Sequence, residues 1–265
     1  MNVFIREMKA NRKSLIIWSI GILLMVLSGM GKFTAATSGD ANSTSQILSS
    51  MPSSVRAILG IGNFDVSKAS GYYGIIFFYL VLMATIHAAI LGANIISKEE
   101  RDKTSEFLYA KPMSRSKIIT SKLLAALVNL IIFNLVTLLC SLGIMAKLDT
   151  VENVTGGILM LMVSLFILQL IYLFIGTALA ALRKEPKAAT STATTIVLFG
   201  YILSVLIDLN QKLINLKYLT PFKYFDTKNI IYGGSFDVAT LILSILIIAF
   251  TLYITYSFGN KRDLL

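Results

Sequence analysis

The 265 residues hold one cysteine, Cys140, and one histidine, His87. A single thiol rules out an intrachain disulfide and any C-x-x-C metal or redox motif. A single imidazole excludes a multi-histidine metal centre and leaves a histidine-based catalytic triad poorly supported. No G-x-x-x-x-G-K-[ST] or G-x-G-x-x-G occurs, so the chain has neither familiar loop for cradling a nucleotide. H-E-x-x-H and G-x-S-x-G are missing too, which weighs against an intramembrane hydrolase. Charge is scarce, at 14 % of residues, where a soluble domain carries roughly 25 %.

What is abundant is apolar side chains, at 55 % of the chain, with a mean hydropathy of +0.75. They fall in continuous runs of about 20 residues, the length that crosses a bilayer as a helix. Lipid obliges a spanning segment to satisfy its own backbone, and the runs lack the alternation of a barrel strand. The expected fold class is therefore an all-α polytopic membrane protein with six spans, in a single transmembrane domain over residues 1–265. The spans are expected at about 14–33, 72–96, 123–146, 158–182, 188–207 and 238–258. The cationic N-terminus before the first run could be taken for a signal peptide. That run is longer than an ordinary signal core, so an uncleaved first span is expected.

The connections alternate in charge. The N-terminus, the segment 97–122, residues 183–187 and the tail hold 16 Lys and Arg, against 8 formed by Lys32 and the seven in the loops 34–70, 147–157 and 208–235. The positive-inside bias then places both termini and segment 97–122 in the cytoplasm. The net charge of +10 reads as topology charge facing anionic headgroups, not as a nucleic-acid surface. Residues 2–13 mix Val3, Phe4, Ile5 and Met8 with cations. They read either as a short amphipathic interfacial helix or as an ordinary positive flank. In loop 34–70, Pro52 opens a short helical stretch. The aromatic-rich loop 208–235 suggests short interfacial or re-entrant helices. The small-residue run Ala188–Thr195 allows close helix packing in the fifth span.

Span interiors contain few polar groups: His87, Asn94, Asn129, Asn134 and Gln169. An ion-coupled carrier needs titratable or anionic groups at depth; the run centres hold none, and Asp208 sits only at the end of span five. His87 and Asn94, seven residues apart on one helix face, could line a translocation path with Asn129 and Asn134. Interhelical hydrogen bonding is the alternative use of the same groups.

Segment 97–122, SKEERDKTSEFLYAKPMSRSKIITSK, carries seven of the 24 cations together with Glu99, Glu100, Asp102 and Glu106. Charges of this density cannot lie in hydrocarbon, so the segment is expected in water or against a soluble partner. Phe107 and Leu108 supply an apolar tip, Pro112 stops a helix, and Ser114 can cap the next one. By composition alone it is either a solvated hairpin or a docking element.

The segment resembles the signature of ABC-2 type permeases, the membrane subunits of a class of ATP-binding-cassette exporters. The matching residues are Glu99, Glu100, Thr104, Glu106, Phe107, Leu108, Pro112, Ser114, Arg115 and Lys122, with departures at Lys103 and Ser105. The six-span pattern and Leu219–Phe225 before the last span extend the likeness over the whole chain. The resemblance implies a coupling helix between spans two and three, seated on an ATPase subunit. Thr104–Leu108 would be the contact, with Glu99, Glu100, Glu106, Pro112 and Arg115 in or beside it. It also implies an amphipathic N-terminal helix and short outer helices near 210–233. The implied assembly is a dimer with an identical or paralogous permease and two copies of an ABC ATPase that binds ATP and Mg, in contact with membrane lipids. Small peptide- and toxin-exporting permeases of Gram-positive plasma membranes look similar. The cargo so implied is a hydrophobic or amphipathic peptide or drug. Sodium or polysaccharide export, a channel, and a non-transporting scaffold or sensor are the rival readings.

Overall fold

A backbone in lipid has no water to bond, so each crossing must close its own hydrogen bonds, and long uninterrupted helices are the outcome. The computed structural model describes residues 3–38, 50–62, 64–102, 113–148, 154–183 and 185–261. Among these, six helices are long and apolar enough to cross a membrane. They are α1 (Val3–Ser38), α3 (Ala69–Arg101), α4 (Arg115–Met145), α5 (Thr155–Leu182), α6 (Pro186–Leu209) and α8 (Val238–Lys261). Two short helices, α2 (Ser53–Ile58) and α7 (Thr227–Ile231), and two 3-10 turns, Gln211–Tyr218 and Pro221–Lys223, belong to the connections. Pro52 stands at the N-cap of α2, as expected from its fixed φ. Ser114 caps α4 by accepting from Lys117 N at 3.4 Å.

Two expectations need correcting. The N-terminal interfacial helix is not a separate element, because residues 3–38 form one helix. The sequence around Lys13 and Ser14 contains neither proline nor glycine, so nothing interrupts the hydrogen-bond ladder there. Several helices also overrun the apolar runs. α3 reaches Arg101 and α4 begins at Arg115, which brings Glu99 and Lys122 inside regular helix.

The centre of the bundle is the crossing of α3 with α5. A β-carbon on Gly92 would stand 2.1 Å from Leu173 O, and one on Gly176 would stand 2.5 Å from Ala89 O. The two backbones are therefore in direct contact, as small residues permit in a membrane where lipid supplies no hydrophobic drive for association. Ala89 and Ala93 continue the seam toward α6, where Ala193 and Val197 pack with them and with Tyr172. The small-residue run of α6 thus takes the expected part. Tyr73, Phe77, Leu80, Leu161 and Leu165 fill the larger core on the other side of α3. Hydroxyls in the interior are mostly folded back on their own helices. Thr85, Thr137 and Ser141 each donate to a carbonyl one turn earlier, and this removes the cost of burying them.

The connections separate into two ends. At one end, Val3 packs on Ile118, Arg115 donates to Asn260 O at 3.1 Å, and Thr190 meets Asn94. The N-terminus, the two described ends of segment 97–122, the start of α6 and the C-terminal end of α8 are thus gathered together, and this is the basic end. At the other end, Tyr79 OH donates to Leu59 O, fixing α2 to α3. Thr240 donates to Tyr224 O, tying the start of α8 to the loop before it. That loop turns back into the bundle. Thr220, fully buried, donates to Gly200 O at 2.7 Å, nine residues before the end of α6, or about 14 Å along it.

The crossing predicts an asymmetry between glycines. Gly92→Ala, aimed at a backbone carbonyl, is expected to destabilise the protein by about 3 kcal/mol. Gly143→Ala, with open space around it, should leave stability unchanged. Thermal loss of monodispersity in non-ionic detergent compares the two; equal melting temperatures would contradict the packing described.

Candidate functional site

At the basic end, four charged side chains from three helices meet. Lys122, near the start of α4, and Glu99, near the end of α3, form an ion pair; Lys122 Nζ also donates to Ile95 O at 2.8 Å. The other oxygen of Glu99 accepts from Arg6 of α1. Arg6 Nη2 also donates to Glu7 Oε1 at 2.7 Å. The order is Lys122, Glu99, Arg6, Glu7, alternating in sign and summing to zero. Lys122 is 2 % exposed, Glu99 4 % and Glu7 0 %, while Arg6 reaches partly to the surface. Lone charges at these positions would be prohibitive; alternation is what makes the burial tolerable.

Each helix delivers its residue for a local reason. Ser114 starts α4 two turns before Lys122, which sets the height of the ammonium. α3 carries Glu99 beyond its apolar run because neither proline nor glycine stands between Ser97 and Arg101, and Ser97 folds its hydroxyl onto Ala93 O at 2.7 Å. Glu7 lies in the first turns of α1, where a carboxylate suits the helix dipole. Its carbonyl accepts from Asn11 Nδ2 at 3.1 Å.

Segment 97–122 therefore has both feet fixed. Glu99 and Lys122 join its two flanking helices to each other and, through Arg6, to α1. Beyond Lys122, α8 is attached by Ser116 Oγ to Asn260 Oδ1 at 3.1 Å and by Thr120 to Tyr256 at 2.8 Å. On the far side of α3, Arg101 donates to Asn94 Oδ1 at 3.0 Å. The same oxygen accepts from Thr190 of α6 at 3.2 Å. Displacing either foot would pull on α1, α6 and α8 together.

The expected site residues are placed unevenly. Glu99, Glu100 and Arg115 lie in described helix at the feet, whereas Thr104, Glu106, Phe107, Leu108 and Pro112 lie outside the described residues. The expectation that all charges of the segment face water or a partner fails for Glu99 and Lys122. Both are buried, and each finds its counter-charge within the chain.

A family model described as "ABC-2 family transporter protein" matches residues 1–264. The chain belongs to the ABC-2 transporter family. As an ABC-2 permease it is the multi-pass transmembrane component of an ABC transporter, and it works with an ABC ATPase rather than being one. No individual curated protein matches the chain.

In this permease the four polar candidates for a translocation path are not brought together. His87 stacks on Phe133 of α4 with ring centroids 4.8 Å apart and tilts against Trp18 of α1 at 5.3 Å. Asn129 donates to Ala125 O of its own helix at 2.8 Å and to Met8 Sδ of α1 at 3.3 Å. Asn134 donates to Gln169 of α5, and Asn94 bridges α3 and α6. They occupy four different seams and serve there as interhelical contacts. Arg6 and Glu7 are the members of the cluster that reading the sequence missed, and Lys122, matched to the family signature, was not foreseen as buried, since both cations count equally well as positive-inside topology charge. The available signal was Glu7, the one acidic residue before Asp40 in a strongly basic stretch.

The ion chain makes a paired prediction. Glu99→Gln strands Lys122 as a buried, uncompensated cation and is expected to cost about 3–5 kcal/mol. Adding Lys122→Met should restore most of that loss. Thermal unfolding of the purified permease reads both; a double variant as unstable as the single one would show that the charges are not coupled.

Proposed function

We propose that this chain is the permease half of an ABC exporter and that force from the ATPase enters it through segment 97–122. The observation that carries the reading is the double anchorage of that segment, through the Lys122–Glu99–Arg6–Glu7 chain and the Arg115 and Ser116 bonds to Asn260. A push on the segment from below would be delivered to α1, α3, α4 and α8 as one unit, since interfaces this closely tied move as rigid bodies. Residues Thr104–Leu108 are the proposed contact with the ATPase, with Glu106 as a charged partner. Glu99, by contrast, acts inside the permease. The basic end faces the cytoplasm on this reading, because 16 of the 24 cations belong to it. ATP and Mg are held by two ATPase copies, and a second permease, identical or paralogous, completes the path.

The proposed cargo is a hydrophobic or amphipathic molecule such as an antimicrobial or toxin peptide or a lipophilic drug, exported across the plasma membrane of a Gram-positive bacterium. Support comes from what the span interiors present. Their buried polar side chains are His87 and hydroxyls and amides such as Thr85, Thr137, Ser164 and Gln169, while the buried carboxylates among the described residues, Glu7 and Glu99, belong to the basic end. Such a lining suits an apolar passenger better than a sodium ion, which calls for carboxylates at depth.

Co-purification with a candidate ATPase tests the reading. Glu106→Arg and Phe107→Ala are each expected to lower permease-dependent ATP turnover about tenfold or more while leaving the melting temperature of the isolated permease unchanged. Turnover and assembly insensitive to both substitutions would refute the proposed contact.

A further inference from the structure

At the end opposite the ion chain, α2, α3, α5, α6 and the segment before α8 enclose a cavity of about 890 Å³. That volume is within the range of small-molecule sites, roughly 300–1,000 Å³. Its wall is aromatic. Phe78 lies against Tyr201 with ring centroids 5.1 Å apart, and Tyr201 meets Phe222 edge-on at 5.6 Å. Gly60, with φ +68°, closes the turn after α2; a β-carbon there would strike the Phe78 ring at 2.4 Å. The turn is therefore pressed onto the aromatic wall and holds the preceding Arg56 over the cavity.

The polar groups of the cavity are out of balance. Its three carboxylates among the described residues are all engaged within the chain. Asp208 pairs with Lys223 at 2.5 Å, Asp226 caps α7 through Lys228 N and Asn229 N, and Asp237 accepts from Ala239 N at the start of α8. Among the cations, Lys217 lies over the Tyr218 ring at 4.9 Å, and neither it nor Lys228 has a carboxylate partner among the described residues. Arg56 has none either, and its Nε is shut off from solvent without any hydrogen-bond acceptor. A guanidinium N–H held dry and unpaired is costly unless something supplies an acceptor. An aromatic cleft with a surplus of cations at its polar side fits an apolar body ending in a negative group.

We propose that this cavity binds an amphipathic organic anion, with Arg56 receiving the carboxylate or phosphate and Phe78, Tyr201 and Phe222 holding the apolar part. The site is built within one protomer and does not depend on what the permease exports or on its ATPase. A failure here would leave the coupling proposal untouched.

A dansyl-aminoundecanoate titration of the purified chain in dodecyl maltoside reads the site by fluorescence. Saturable binding is expected, with displacement by decanoate and none by decyltrimethylammonium. Arg56→Gln should weaken binding about tenfold or more, and Arg56→Lys should retain most of it. Should Arg56→Gln fail to fold, the pair Lys217→Gln and Lys228→Gln carries the test, and weaker binding is expected. Displacement by lysophosphatidylglycerol as well as decanoate extends the ligand class to phosphate esters, and displacement by decanoate alone assigns carboxylates. A signal that rises without saturating, equal displacement by the cationic competitor, or unchanged affinity in the variants would each overturn the proposal.

Discussion

Four charges from three helices, three of them buried, constrain the basic end of this permease more than any other contact there. An isolated lysine at the depth of Lys122 would lose its proton or draw in water. With Glu99 on one side and Arg6 beyond it, the amine finds its counter-charge within the bundle and the three helices are tied together. Because truncating one member strands the next, the chain behaves as a unit and not as a set of separate pairs. The helix ends on either side of the segment, α3 at Glu99 and α4 at Lys122, share that joint.

The middle of the bundle obeys a different constraint. Lipid gives helices no hydrophobic reason to associate, so packing must come from close approach. Gly92 against Leu173 O and Gly176 against Ala89 O supply it. The hydroxyls nearby return to their own helices. A stiff joint at one end and a backbone-to-backbone crossing in the centre favour transmission of a push without local yielding. The opposite end is looser in design: short helices and 3-10 turns, an aromatic cavity, and a loop that dips back to Gly200. The two ends thus differ in construction, one a charged joint between long helices and the other short elements around a cavity.

Much of this was legible beforehand. The six spans, the start of α2 at Pro52, the Ser114 cap and the tight packing of the Ala188–Thr195 run all follow from local chemistry. So did the family, through residues such as Thr104, Glu106 and Pro112 at their spacing. The small residues of α3 and α5 were also available, since Ala88, Gly92 and Gly176, Ala180 stand four apart in the pattern that marks close crossings. The separate N-terminal helix did not survive, because a change from polar to apolar residues at Ser14 does not break a helix that lacks proline and glycine there.

The sequence by itself determined the number, length and charge bias of the spans, because a helix in lipid answers to the hydropathy and propensity of its own consecutive residues. Tertiary structure alone decided which charges would be buried. Arg6 and Glu99 are 93 residues apart, and Glu99 and Lys122 are 23 apart; nothing local distinguishes them from the solvated cations and acids beside them. The same holds for Arg56, an ordinary positive residue in the sequence that folding sets over an aromatic cavity. Pairing at a distance depends on how helices cross, and that crossing is set by contacts such as Gly92 on Leu173, which no single segment encodes.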